Sequence, residues 1–226
     1  MTRDEILTKI EESGIVTAIR VNSKEDAVFA AETVFQGGIP VVEIAMTLDG
    51  APEVISHLVE KHPQLVVGAG SVLNTRMAET CLDAGAHFLT SDGLQLARVD
   101  LVARKGAVMF PGALTPSEVV TAWEAGCDFV KVVPCAQIGG ESYVRSIHAM
   151  YPNIPLIAAG GVNQQTASRY IFAGAIAVGV GRELIPTEAI RHRQVHRIHE
   201  LSRRFLGFVK SARQGKLPER EGRFIG

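Results

Sequence analysis

The sequence predicts an α/β chain: a parallel (β/α)8 TIM barrel with a short N-terminal helix and a basic C-terminal helical tail. Three observations carry that prediction. Eight short runs rich in Val, Ile and Ala recur at intervals of 20 to 27 residues, the length and composition of strands buried on both faces. Longer amphipathic stretches separate them, and six end at a glycine just before the next run: Gly14, Gly38, Gly85, Gly106, Gly126 and Gly174. Glycine stops a helix there because it enters the left-handed conformation without a Cβ penalty. Finally, no GxGxxG turn follows the first run, which argues against an open doubly wound sheet.

The elements follow in order. A helix over residues 4–13 leads into a strand at 16–20, and further strands are predicted at 41–45, 65–68, 88–90, 108–110, 129–133, 156–159 and 176–179. The third and seventh begin after Pro63 and Pro155. Thr115-Pro116-Ser117-Glu118 is a helix start, with a capping threonine and proline in the first turn. No polar linker divides the 226 residues, so one domain over 1–226 is expected. Its tail, from about 190 onward, carries Arg203-Arg204 and ends in a Gly- and Arg-containing segment expected to be loosely held.

Composition narrows the function. A net charge of -1 gives no basis for a nucleic-acid or anionic-membrane partner. No apolar run reaches the roughly 18 residues of a membrane span, and the polar start Met1-Thr2-Arg3-Asp4-Glu5 is not expected to be a signal peptide. Cys81, Cys127 and Cys135 are odd in number and lack CxxC spacing. They read as reduced thiols of a cytoplasmic protein.

In such a barrel the chemistry collects at the C-terminal ends of the strands. Lys131 stands between Phe129-Val130 and Val132-Val133. A buried ammonium is costly, and the neutral amine is the nucleophilic form. Period-two alternation puts Lys131 on one face with Phe129 and Val133, and Glu43 on one face with Val41 and Ala45. If both faces point inward, an acid and an amine share one volume. A structural Glu43–Lys131 ion pair is the alternative, but buried pairs gain little net stability. Arg20, Thr47, Gly68-Ala69-Gly70-Ser71, Thr90-Ser91-Asp92-Gly93 and Phe110-Pro111-Gly112 end other strands. Gly160-Gly161-Val162-Asn163 and Gly179-Val180-Gly181-Arg182 follow the seventh and eighth, where barrel enzymes often hold phosphate through backbone N–H groups. Arg182 could add a bidentate contact.

On Val42-Glu43-Ile44, Gly68 to Leu73, Pro111 to Pro116, Phe129-Val130-Lys131 with Pro134, Gly160-Gly161-Val162 and Val178 to Gly181, taken in order, the chain resembles a known family. These are the class I 2-keto-3-deoxy-6-phosphogluconate (KDPG) and 4-hydroxy-2-oxoglutarate (KHG) aldolases. The resemblance implies a Schiff-base lysine at Lys131, a general acid/base at Glu43, a phosphate site at Gly160, Gly161 and Gly181, and a homotrimer. Several positions depart from the family pattern. Ala158-Ala159 replaces a Pro-Thr pair, Arg182 stands where a serine commonly helps hold phosphate, and Asp92 replaces a frequent proline.

The expected reaction is cleavage of a phosphorylated 2-keto-3-deoxy acid, KDPG first, to pyruvate and glyceraldehyde 3-phosphate. Lys131 forms an iminium, Glu43 moves protons, and backbone N–H groups around Ser71, with Arg20 or Thr47, are candidates for the pyruvyl carboxylate. Orienting Glu43 or Lys131 is the alternative role for Arg20, and Pro111 is a further substrate-binding candidate. No metal or cofactor is called for, because the iminium does the polarising. His192, His196 and His199 share helical spacing and are expected on one solvated or subunit-facing helix surface, away from the strand ends. KHG and the galactonate epimer of KDPG are rival substrates. A phosphosugar isomerase or epimerase, or a non-catalytic anion-binding barrel, would use the same scaffold.

Overall fold

A computed structural model describes residues 1–216; the end of the expected loose segment lies outside the described residues. The strands are β1 (Ile15–Ile19), β2 (Val41–Ala45), β3 (Val66–Gly70), β4 (Phe88–Thr90), β5 (Val108–Phe110), β6 (Gly112–Ala113), β7 (Val130–Val132), β8 (Leu156–Ala159) and β9 (Ala175–Val180). The helices are α1 (Arg3–Ser13), α2 (Lys24–Gln36), α3 (Ala51–Lys61), α4 (Thr75–Asp83), α5 (Leu96–Arg104), α6 (Pro116–Glu124), α7 (Glu141–Met150), α8 (Ala167–Phe172), α9 (Thr187–Arg191) and α10 (Val195–Arg213).

All pairings are parallel, in the order β5-β4-β3-β2-β1-β9-β8-β7-β6. β5 and β6 are one barrel strand interrupted at Pro111, which has no N–H for the ladder. β5 pairs with β4 and β6 with β7. The seam closes through Asp128 N to Met109 O at 3.2 Å and Lys131 N to Pro111 O at 3.0 Å. The eight predicted strands are all present, the fifth in two pieces.

Two apolar layers result from the alternation of side chains along the strands. One lies between sheet and helices. The other fills the barrel: Val16, Val41, Val66, Phe88, Val108, Phe110, Phe129, Ile157 and Ala177, plugged from below by Ile6 and Ile10 of α1. Phe88 stacks on Phe110 at 4.6 Å between centroids, and Phe129 meets Phe110 edge-on at 5.4 Å. This aromatic floor seals the barrel beneath its mouth.

The C-terminal tail is helical and basic, as expected, and it is also structural. α10 packs against α8 and α2, burying Ile198, Phe205 and Val209 and so completing the helical ring. The expectation for the histidines needs correction. Arg193 takes a left-handed φ of 48° and breaks the chain between α9 and α10. His192 therefore ends α9, while His196 and His199 lie on α10, and the three do not share a helix face.

Candidate active site

The site is built one pleat above the apolar floor. From Val41 the next inward position on β2 is Glu43; from Phe129, just before β7, it is Lys131; from Phe88 on β4 it is Thr90, with Asp92 two residues further on. β3 contributes only glycine here, and the reason is steric. A Cβ at Gly70 would collide with the Glu43 carboxylate, and one at Gly68 with the Phe88 ring.

A cavity of about 370 Å³ opens at this end, lined among others by Arg20, Glu43, Asp92 and Lys131 and by Gly160, Gly161, Gly181, Arg182 and Glu183. Lys131 and Glu43 are both nearly buried, at 5% and 4% exposure. They do not pair directly. The Thr90 hydroxyl lies between them, accepting from Lys131 Nζ at 3.3 Å and donating to Glu43 Oε2 at 2.9 Å. The ion pair of Lys131 is with Asp92, 3.0 Å from Nζ to Oδ1. Ser71 donates its hydroxyl to Asp92 Oδ2 at 3.1 Å, and Arg20 stands 3.9 Å from the same oxygen. Burial pushes the Asp92 carboxyl up, but Lys131, Arg20 and the Ser71 hydroxyl outweigh it and hold it below its ordinary value.

Opposite this cluster the cavity wall is mostly backbone. Gly160 and Gly161 take φ of 84° and 80°, conformations that strain any residue with a Cβ. Gly181 and Arg182 follow β9, and Glu183 adds a carboxylate at the same rim.

The structure thus brings Lys131, Glu43, Arg20, Gly160, Gly161, Gly181 and Arg182 to one cavity. Thr47, Ser71 and Pro111 do not line it, against expectation. The tight turn closed by Leu48 N to Ala45 O at 3.1 Å carries Thr47 outward to solvent. Ser71 is buried behind Asp92. Pro111 lies in the seam between β5 and β6, where its carbonyl accepts from the Lys131 amide. Sequence reasoning missed the Thr90 bridge and the Asp92 ion pair, though period two from Phe88 would have put both on the inner face.

A closed parallel barrel with a buried amine among acids at the C-terminal ends of its strands defines a barrel enzyme. Residues 6–201 match the family model described as KDPG and KHG aldolase, and the chain belongs to that family. It is a lyase. The KHG/KDPG aldolase of Escherichia coli K12 is 26% identical over 189 residues, covering 84% of this chain and 89% of the relative. A KDPG aldolase structure from Legionella pneumophila, with pyruvate captured at low pH as a covalent carbinolamine intermediate, is 26% identical with a TM-score of 0.79. That match covers 87% of this chain and 96% of that one. The Zymomonas mobilis ZM4 KDPG aldolase with 3-phosphoglycerate is 26% identical, TM-score 0.82, covering 92% and 97%.

Proposed function

We propose that the chain is a class I aldolase that cleaves KDPG to pyruvate and glyceraldehyde 3-phosphate through a Schiff base on Lys131. The observation that carries this reading is the buried Lys131 amine, linked through Thr90 to Glu43 and facing the cavity of the glycine loops. The amine adds to the C2 ketone, and loss of water gives an iminium. Glu43 takes the C4 hydroxyl proton as the C3–C4 bond breaks, with the electron pair moving into the iminium. Protonation of the enamine at C3 and hydrolysis then release pyruvate and the lysine. Gly160, Gly161 and Gly181 offer backbone N–H groups to the distal phosphate, with Arg182 beside them. Arg20 is the cation nearest the amine's ion-pair partner and takes the keto-acid carboxylate. Thr47, Ser71 and Pro111 have at most an indirect part.

One observation favours KHG as a second substrate: the exposed Arg182 guanidinium at the rim suits a terminal carboxylate as well as a phosphate. We also propose a single cytoplasmic domain that assembles as a homotrimer. Three buried free thiols, each pushed up to about 12 by burial, support the compartment. Exposed Trp123 and Phe172, lining one surface depression, support an apolar subunit contact. Among the described residues no helix is long and apolar enough to cross a membrane.

Borohydride reduction in the presence of pyruvate, read by intact mass, tests the central reading. Wild type gains one reduced pyruvyl adduct on Lys131. Lys131→Ala gains none, and its pyruvate release from KDPG falls on the order of 10⁴-fold. An adduct of equal yield in Lys131→Ala would overturn the assignment.

A further inference from the structure

The two carboxylates near Lys131 are placed differently. Glu43 reaches the amine only through Thr90, whereas Asp92 touches it directly, at a position where the family often has a proline. We propose that Asp92 is a second catalytic acid/base: it takes the proton of the Lys131 ammonium when the substrate's carboxylate arrives, and returns it to expel water from the carbinolamine. This rests on the Schiff-base reading above.

The geometry supports it from three sides. Asp92 Oδ1 is 3.0 Å from Nζ, so transfer needs no intermediary. Asp92 Oδ2 accepts from Ser71 at 3.1 Å and faces Arg20 at 3.9 Å. Arg20 is the cation assigned to the keto-acid carboxylate, so in the free enzyme an internal carboxylate occupies the seat that the substrate's own would take. The backbone beneath is held firmly. A Cβ at Gly112 would strike the Asp92 carbonyl group, the Ser91 hydroxyl donates to Gly93 O at 2.7 Å, and buried Arg98 donates to Gly93 O at 3.0 Å and to Leu73 O. The side chain itself is half exposed, so the carboxylate can turn while its backbone stays fixed.

Arrival of a keto acid changes what Asp92 faces. Its carboxylate draws Arg20 away, adds a like charge, and displaces water from the cavity. Each change favours the neutral carboxyl. The same cavity also presents Glu43, Arg182 and Glu183. None of these has a hydrogen bond to Nζ, so Asp92 is the nearest acceptor. The protons balance. Lys-NH3⁺ and Asp92-COO⁻ become Lys-NH2 and Asp92-COOH; the amine adds to the ketone, its proton passing to the new hydroxyl. The Asp92 proton then leaves with that hydroxyl as water, leaving the iminium and the Asp92 carboxylate.

The test is the rate of the cyanoborohydride-trapped Lys131 adduct in the intact protein, with saturating pyruvate or saturating hydroxyacetone, a ketone without a carboxylate. Over about pH 5.5 to 9, Asp92→Asn is expected to slow the pyruvate adduct by roughly 30-fold and to change the shape of its pH profile. Asp92→Glu recovers part of the rate, and added formate speeds Asp92→Ala, which a purely structural role would not produce. The wild-type preference for pyruvate over hydroxyacetone shrinks by about tenfold in Asp92→Asn, because only the keto acid triggers the transfer. A wild-type pyruvate rate and pH profile in Asp92→Asn would overturn the proposal. So would a slow Asp92→Asn with an unchanged preference and no formate rescue. Failure of wild type itself to trap either ketone would instead overturn the Schiff-base reading, and this proposal with it.

Discussion

The two halves of the barrel mouth are built from opposite materials. On the β2, β4 and β7 side, side chains are bonded to one another: buried Glu43, Thr90 and Lys131 and half-exposed Asp92 form a continuous chain of contacts. On the β8 and β9 side, Gly160, Gly161 and Gly181 present backbone, and Arg182 is exposed. The difference follows from the tasks proposed for each. Making and breaking a covalent bond requires groups fixed to fractions of an ångström and shielded from water. Holding a distal anion requires N–H groups and space, and tolerates solvent. The glycines serve both sides: Gly70 clears room for Glu43, while Gly160 and Gly161 are themselves the surface.

Thr90→Val, which keeps the shape and removes the hydroxyl between Lys131 and Glu43, should disable the lysine side most. Exchange of the pyruvate C3 protons with deuterated water, which needs Glu43 correctly aimed, is expected to fall by roughly 10²-fold. Adduct formation on Lys131 should fall much less, because Asp92 contacts Nζ directly. Equal losses in the two measurements would mean that the Thr90 bridge, and not Asp92, carries the amine's proton.

On the glycine side the effect is smaller and should appear in binding. Arg182→Ala is expected to raise KM for KDPG by about tenfold with kcat little changed, the pattern of an interaction made equally in the ground and transition states. Glu183 at the same rim offsets part of the arginine's charge, which keeps the figure modest. Steady-state kinetics on KDPG and on its unphosphorylated analogue decide it. A fall in kcat equal to the fall in kcat/KM would move Arg182 into the bond-breaking machinery and dissolve the division between the halves.

How much of this was legible in the sequence depends on how local the cause was. Strand runs and glycine stops are local, and every predicted strand is present. The break at Pro111 was also readable, since a proline cannot feed the ladder, yet the chain resumes as Gly112–Ala113 and pairs with the next strand. The α9–α10 break was not readable: Arg193 adopts a left-handed conformation with neither glycine nor proline to mark it. Within the site, Lys131 and Glu43 followed from period-two alternation. Thr90 and Asp92 obey the same alternation, but a strand of three residues gives it little length to show. Thr47 and Ser71 depended on the path of loops, which no periodicity fixes.

The smallest expected effect concerns acid, and it separates the halves through stability. β4 is braced at its start by His87, whose backbone N–H donates to Val67 O at 2.8 Å while its Nδ1 accepts from Val67 N at 3.0 Å. A protonated Nδ1 cannot accept that bond. Burial, with the N-terminal amine and Lys9 adding repulsion, pushes His87 down from 6.5 to about 4. The unfolded chain therefore binds a proton that the folded chain refuses. The stability His87 contributes is complete above pH 6.5 and is lost as pH falls toward about 4. Allowing for the ring's partial exposure, the loss by pH 5 should be on the order of 1 kcal/mol. Hydrogen-exchange protection of the Val67 and His87 amides should drop over that interval relative to Val178 on β9. His87→Gln, which keeps an acceptor and does not titrate, should flatten the dependence. Parallel loss of protection at Val67 and Val178 would mean that acid loosens the barrel as a whole, and that the brace under β4 is not what gives the lysine side its pH sensitivity.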